Sequence, residues 1–322
     1  MKLVSFSLKP VAPFRLDYTA WALRRRPDNI IDRWEDGRYM SVFSFDGEVF
    51  SVSVVQPGDA RTPLLEVKAE GERISGTDLK QIAGRLTRML GLEADLAGFY
   101  AMAVKDRRLA PLVEEFYGVK PPRFGSVFEA LINAVACQQM SLLVGIRLLN
   151  RLAQAYGKVF THLGEARGQH AFPSPGELAR ARPQALRAFG FSSRKAQYII
   201  SISRFALEGG GKNAASGLEA LESLPDEEAE AGLLTLRGVG RWSAQYVLLR
   251  GMGRLGVFPG DDVGARAKLA EWLGVKSGLD YEGVRRIAVR WHPYGGLIYF
   301  HLLLKSLRAK GFLPIEREEV SA

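Results

Sequence analysis

The stretch Leu236–Asp262, LRGVGRWSAQYVLLRGMGRLGVFPGDD, decides how the rest of the chain is read. It opens on Gly238-Val239-Gly240, which runs straight into an apolar segment of helical character. Glycine suits such a turn twice over: one position takes φ above zero, and another lets a ligand come close to the main chain. A helix beginning at about Arg241 aims its free N–H groups and its dipole at the same spot, which makes an anion site indifferent to base sequence. A plain helix–helix turn also favours glycine, so a bare Gly-x-Gly carries little weight. Trp242 and Tyr246 lie four apart and share one helix face. Core packing accounts for either ring alone; together, behind an anion-binding turn, they could offer a stacking surface for an unpaired base. The loop Phe258-Pro259-Gly260 then ends on Asp261-Asp262, just before a helix read as Ala265–Leu273. Aspartate is a preferred N-cap, so the residues by themselves leave cap and catalyst both open.

Working outward, residues 1–92 read as an α/β unit. Tyr39–Val55 alternates as a hairpin, with Phe50, Val52 and Val54 on one face and Asp46-Gly47 at the turn. Leu65–Lys68 continues the period of two. Helices are expected near Asp17–Arg26 and Thr77–Leu90, the second with Leu79, Ile82, Leu86 and Met89 on one side. From about Asp95 strand signals almost vanish. Leu96–Val104, Leu109–Tyr117, Val127–Cys137 and Ser141–Tyr156 read as helices, as do Tyr281–Trp291 and Gly296–Lys310. Ser126–Glu129 and Ser174–Glu177 have the form of capping boxes. Ser192 or Ser193 opens a helix ending at Gly209-Gly210-Gly211, and Asp226 opens the one that feeds the glycine turn. The expected class is α+β: an N-terminal α/β domain with a small antiparallel sheet, then a mostly helical domain over 93–322. That domain divides into a central part, about 126–254, and a second part, about 93–125 plus 255–322.

The bulk numbers narrow the chemistry. There are 44 basic and 35 acidic residues, a net charge of +9, which fits a polyanionic partner. The single cysteine, Cys137, excludes disulfides within the chain and a four-cysteine iron–sulfur cluster. The four histidines form no pair with ligand spacing, so no zinc site is expected. No apolar run is long enough to span a bilayer, and the N-terminus is too interrupted for a signal peptide, so a cytoplasmic protein is expected.

The extended pattern Leu236-x-Gly-Val-Gly-x-Trp-Ser-Ala resembles the helix-hairpin-helix motif of DNA repair glycosylases. With Leu249-Arg250-Gly251 and Val257-Phe258-x-x-Asp261-Asp262 it resembles the 3-methyladenine DNA glycosylase II (AlkA-type) branch of the HhH-GPD superfamily. Phe172-Pro173-Ser174-Pro175-x-x-Leu178-Ala179, Pro183–Leu186 and Arg285-Arg286-x-Ala288-x-Arg290-Trp291-x-Pro293 extend the likeness over nearly the whole chain. The resemblance implies two helical subdomains flanking a cleft and base flipping from double-stranded DNA. It implies hydrolysis of the N-glycosidic bond of alkylated purines, namely 3-methyladenine and 7-methylguanine, with 1-methyladenine and hypoxanthine left open. Asp262, the second of the pair, is then the catalytic carboxylate. Gly238, Val239, Gly240, Arg241 and Ser243 hold the DNA backbone, and Trp242 and Tyr246 form one wall of the base pocket.

Several positions depart from the pattern. A pocket tryptophan of the last helix is replaced by Leu303, with Phe300 one turn earlier. The leucine that relatives wedge into the duplex is replaced by Gln139, next to Met140. The lysine nucleophile of lyase relatives falls at Trp242, which implies a monofunctional enzyme that forms no Schiff base. Tyr18 and Trp21 could reach the cleft, although core packing suits them better. No second acid is evident near Asp262; a cationic alkylated base tolerates this because it leaves without protonation. Cation–π attraction of ~0.5–2 kcal/mol would favour such a base. No cofactor is expected, beyond a monovalent cation that the hairpin carbonyls could hold. The chain is expected to act as a monomer. Two other readings are a non-catalytic DNA-binding module and an oxidised-base glycosylase with lyase activity.

Overall fold

The computed structural model describes residues 1–162, 168–208 and 217–313. The N-terminal part runs β1 (Lys2–Leu8), α1 (Leu16–Arg24), β2 (Arg33–Glu35), β3 (Arg38–Phe45), β4 (Glu48–Val55), β5 (Leu65–Gly71) and α2 (Gly76–Leu90). The five strands pair antiparallel in the order β1-β5-β4-β3-β2. Period-two alternation puts Phe50, Val52 and Val54 on the buried face, opposite Phe43, Ser41 and Tyr39. Helix α2 covers that face with Ile82, Leu86, Met89 and Leu90. A reciprocal box starts it: Ser75 Oγ accepts from Asp78 N–H, and Asp78 Oδ2 accepts from Ser75 N–H at 2.7 Å. Strands β1 and β2 go beyond those read from the sequence. The second spans three residues, too few to show a period, and the inward residues of the first (Val4, Phe6, Leu8) are only partly buried at the sheet edge.

The helical part comprises α3 (Ala97–Ala103), α4 (Leu109–Glu115), α5 (Val127–Cys137) and α6 (Leu142–Tyr156). A two-stranded ribbon follows, β6 (Val159–Phe160) with β7 (Gln169–His170), too short to announce itself in sequence. Then come α7 (Pro175–Ala179), α8 (Pro183–Ala188), α9 (Ser193–Glu208) and α10 (Asp226–Leu234). The last four are α11 (Arg241–Arg250), α12 (Val263–Leu273), α13 (Tyr281–Ala288) and α14 (Gly295–Ala309). Ser192 is the residue that opens α9, accepting from Lys195 N–H at 3.3 Å; its expected stop at Gly209–Gly211 lies outside the described residues. Ser174 and Glu177 form the expected box, with Pro175 in the first turn. Ser126 makes only half of one. Its hydroxyl accepts from Glu129 N–H at 3.0 Å, but the Glu129 carboxylate turns to Arg85 of α2. Among the described residues no helix is long and apolar enough to cross a membrane.

Two large apolar clusters fill most of the interior, beside a small one of Val42, Phe160 and Ala171. One joins the inner face of the sheet to α5, α6, α9 and α11 through Phe124, Leu131, Ile199 and Val247. The other joins α3, α4, α12, α13 and α14 through Phe99, Leu112, Leu269, Val284 and Leu304. Helix α1 belongs to both: Leu16, Ala20 and Leu23 pack in the first, Tyr18, Trp21 and Ala22 in the second. Tyr18 and Trp21 are therefore core residues, with Trp21 stacked on Phe312. This leaves a cleft where the two clusters meet. The Arg85–Glu129 pair, 3.0 Å apart, ties the sheet's helix to α5. Burial pushes the Glu129 carboxyl up to about 7 from 4.5, with Arg85 offsetting part of the shift. The folded state thus holds this proton more tightly than the unfolded chain. Its stabilising contribution is complete below about 4.5 and is lost as pH rises through about 7. The melting temperature should fall across that window, and Glu129→Gln should flatten the slope.

Candidate functional site

The turn that opens α11 depends on Gly238. Its φ is +92°, where side chains are strained, and a Cβ there would lie 2.3 Å from the ring of Tyr198. Gly240 differs: its φ is −103°, and a Cβ would meet nothing within 4 Å. The first glycine makes the turn and the second keeps its outer face open. Beyond it, the N–H groups of Gly240, Arg241, Trp242 and Ser243 find no acceptor among the described residues. They form the exposed positive end of α11.

The side chains of the expected backbone-binding set are mostly engaged elsewhere. Val239 packs in the core, and its N–H closes the turn on Leu236 O at 3.0 Å. The Ser243 hydroxyl is buried and accepts from Gln138 Nε2 at 2.8 Å. Arg241 lies over the Tyr281 ring, 3.7 Å from its centre, and pairs with Asp261. Main-chain amides, not these side chains, are what the turn presents. The Gln138 amide also donates to Gly238 O at 2.7 Å, and Lys195 Nζ donates to Gln138 O at 2.7 Å. The break after α5 therefore clamps the turn from behind. No cluster of carboxylate, histidine or cysteine ligands occurs among the described residues.

A cavity of about 1000 Å³ opens beside the turn, between the two apolar clusters. Trp242 and Tyr246 form one wall, stacked with ring centres 5.4 Å apart and planes 25° off parallel. Asp262 enters it half-buried. One carboxylate oxygen accepts from Trp242 Nε1 at 3.2 Å, and the other caps α12 by accepting from Ala265 N–H at 2.8 Å. The helix starts at Val263, two residues earlier than read, because Asp262 is its N-cap. Cap and cavity carboxylate are one residue. Asp261 points the other way, to Arg241. Gln245 holds the loop to α11, accepting from Gly260 N–H at 3.3 Å and donating to the Tyr281 hydroxyl at 3.1 Å.

The opposite wall needs one correction. Leu303 lines the cavity, but Phe300 is fully buried behind it, with Arg250 5.3 Å from its ring centre. On α14 the residues facing the cavity are Tyr299, Leu302 and Leu303, which share a helix face that Phe300 does not. Tyr299 could have been found by stepping back one turn from Leu303. Gln139 and Met140 both line the cavity and are exposed, Gln139 with φ +53°.

Sequence reading missed Arg25. It follows α1 with φ +64°, a position where glycine is preferred, and its buried side chain lines the cavity. It donates to the Tyr246 hydroxyl at 2.7 Å and to Asn133 Oδ1 at 2.7 Å. Nothing local signals this, since the partners lie more than 100 positions away in the chain.

A sequence profile described as "HhH-GPD superfamily base excision DNA repair protein" matches residues 132–293. A Bacillus subtilis protein described as "Putative DNA-3-methyladenine glycosylase YfjP" is 27% identical over 282 residues, covering 88% of this chain and 92% of that one. "DNA-3-methyladenine glycosylase 2" of Escherichia coli is 31% identical over 185 residues, 58% of this chain and 60% of that one. A solved "3-methyladenine dna-glycosylase from Archaeoglobus fulgidus" superposes with a TM-score of 0.77 at 26% identity, covering 96% of this chain and 100% of that one.

The two glycines should separate in a melting experiment. Gly238→Ala should destabilise the fold by about 1–3 kcal/mol, from positive φ and the contact with Tyr198. Gly240→Ala should leave the melting temperature nearly unchanged.

Proposed function

Because the chain belongs to the HhH-GPD superfamily of base excision DNA repair proteins, we propose that it is a DNA glycosylase for alkylated purines. It binds duplex DNA as a monomer, takes the damaged nucleotide into the cavity, and hydrolyses its N-glycosidic bond without a cofactor. The observation that carries this reading is the Asp262 carboxylate, held inside the cavity at 3.2 Å by the indole N–H of an aromatic wall. The names of the similar proteins, which specify 3-methyladenine, support the substrate class; we extend it to 7-methylguanine as another cationic alkylated purine.

The chemistry follows from charge. As the C1′–N bond breaks, its electron pair goes to the base and positive charge builds on the sugar. A carboxylate near C1′ stabilises that charge, and a water oxygen then bonds to C1′. Two hydrogen bonds fix the rotamer of Asp262, so little reorganisation is needed at that moment. An alkylated purine that is already cationic leaves as a neutral base, so no general acid is required. The water proton passes to solvent or to Asp262. The strand is held by the free amides from Gly240 to Ser243, where a phosphate meets four N–H groups and a helix N-terminus. Gln139 or Met140 fills the gap left in the duplex. Trp242 occupies the place of the lyase lysine, which supports hydrolysis without a covalent adduct.

Asn caps a helix as well as Asp does, so Asp262→Asn should keep the fold. Release of 7-methylguanine from methylated DNA should nevertheless fall by roughly a hundredfold or more, with duplex binding retained. Release at the wild-type rate would make the protein a binding module. Borohydride should trap no protein–DNA adduct; a trapped adduct would assign lyase activity. Gly240→Asp puts a charge against the phosphate without strain, and should weaken binding to all duplex sequences alike.

A further inference from the structure

Three consecutive residues of the loop before α12 are each held by a different residue of α11. Gly260 N–H donates to Gln245 Oε1 at 3.3 Å, Asp261 pairs with Arg241, and Asp262 accepts from Trp242 Nε1 at 3.2 Å. Residues four apart share a helix face. Trp242 and Tyr246 line the cavity, while Arg241 and Gln245 occupy the next face round and do not. On that rear face both meet one side chain, Tyr281, the first residue of α13. The Tyr281 hydroxyl accepts from Gln245 Nε2 at 3.1 Å, and the Arg241 guanidinium lies 3.7 Å from the ring centre. The ring also packs on the loop itself: a Cβ at Gly260 would come within 2.8 Å of it.

Arg241 is placed more firmly than a surface arginine usually is. Its guanidinium meets both carboxylate oxygens of Asp261, with Nη2 donating to Oδ1 at 3.1 Å and Nε to Oδ2. A planar fork that is bidentate and also stacked on an aromatic face has one geometry, unlike an ordinary exposed ion pair. Arg266 approaches the same carboxylate at 4.0 Å. The Arg241 side chain is half exposed beside the free amides of α11, where charge alone would suggest a phosphate contact. Its bonds run the other way, to the loop.

We propose that Tyr281, Arg241 and Gln245 form a rear brace that sets the position of the Asp262 carboxylate, so that Arg241 serves the chemical step through Asp261 rather than gripping the DNA strand. This rests on the glycosylase reading above. The two hydrogen bonds on the Asp262 carboxylate fix its rotamer, but not where the main chain carries it. That is set one and two residues earlier, at Asp261 and Gly260. A carboxylate must lie close to C1′ to stabilise the charge that builds there, and a displacement of about 1 Å costs on the order of a hundredfold in rate. Helix α11 packs in the first apolar cluster and α13 in the second. The brace therefore joins the two sides from behind, where Asp262 bridges them from the front. None of its three side chains touches a reacting atom; all are positioning residues.

The test separates rate from affinity. Single-turnover release of 7-methylguanine from methylated duplex is measured at saturating protein, beside duplex affinity and its salt dependence, for Arg241→Gln, Tyr281→Leu and Tyr281→Phe. In Arg241→Gln and Tyr281→Leu the rate should fall by about tenfold or more, with affinity within about twofold of wild type and the salt slope unchanged. Tyr281→Phe keeps the ring that carries Arg241 and Gly260, and should lose less. The same substitutions are then made beside Asp262→Asn. There they should leave the residual rate within about twofold, because the group they position is gone. Losses that multiply in that background overturn the proposal, since a merely structural role slows whatever chemistry remains. An Arg241→Gln protein that binds more weakly, with a salt slope smaller by about one, also overturns it by making Arg241 a phosphate contact. If Tyr281→Leu does not melt cooperatively, Arg241→Gln, at a half-exposed position, decides alone. Wild-type rates in the brace variants, with Asp262→Asn slow, overturn the brace and leave the glycosylase reading intact. A wild-type rate in Asp262→Asn overturns both.

Discussion

The site hangs on the contact between Gly238 and Tyr198. Because a Cβ at position 238 would lie 2.3 Å from that ring, the turn packs flat on α9, and α11 leaves it in one direction only. Everything else follows from the course of α11. Its first amides face outward, Trp242 and Tyr246 face the cavity, and Gln245 reaches the loop before α12. Gln138 and Lys195 secure the other side of the turn through carbonyl contacts, so the break after α5 and the turn move as one body. Such fixing of positions far from any reacting atom is what holds a catalytic group to the tolerance that chemistry needs.

Asp262 shows how one residue can satisfy two demands. As an N-cap it is bound to the start of α12, in the second apolar cluster. As an acceptor for Trp242 it is bound to α11, which packs in the first. The carboxylate thus bridges the cleft, and its position is set from both sides. Asp261, one residue earlier, takes up Arg241 and leaves Asp262 without a neighbouring cation in contact. The pair of acids is a division of labour between holding the loop and facing the cavity.

Helix α1 makes the N-terminal unit part of the site rather than an appendage. It contributes to both apolar clusters, and the residue after it sends a guanidinium under the cavity floor. The sheet, α2 and the Arg85–Glu129 pair secure α1 and α5 against each other. The polar character of the pocket floor is therefore decided in the first 25 residues, and the carboxylate that faces it, Asp262, comes more than 200 positions later.

The amino-acid sequence by itself determined the elements that rest on local periodicity and short-range chemistry. These are the Tyr39–Val55 hairpin, α5 from Val127 to Cys137, the Ser174–Glu177 box, the glycine turn and the shared face of Trp242 and Tyr246. Each depends on residues two to four apart, where side-chain direction follows directly from backbone geometry. Family resemblance singled out Asp262 where local chemistry left cap and catalyst open. Only the tertiary structure decided that Asp262 caps α12 and faces the cavity at once, that Tyr299 rather than Phe300 faces the cavity, and that Arg241 and Ser243 are already engaged. It alone brought Arg25 to Tyr246, 221 positions apart. Such contacts arise from how helices cross and which buried polar groups must find partners, and no periodicity within one element encodes them.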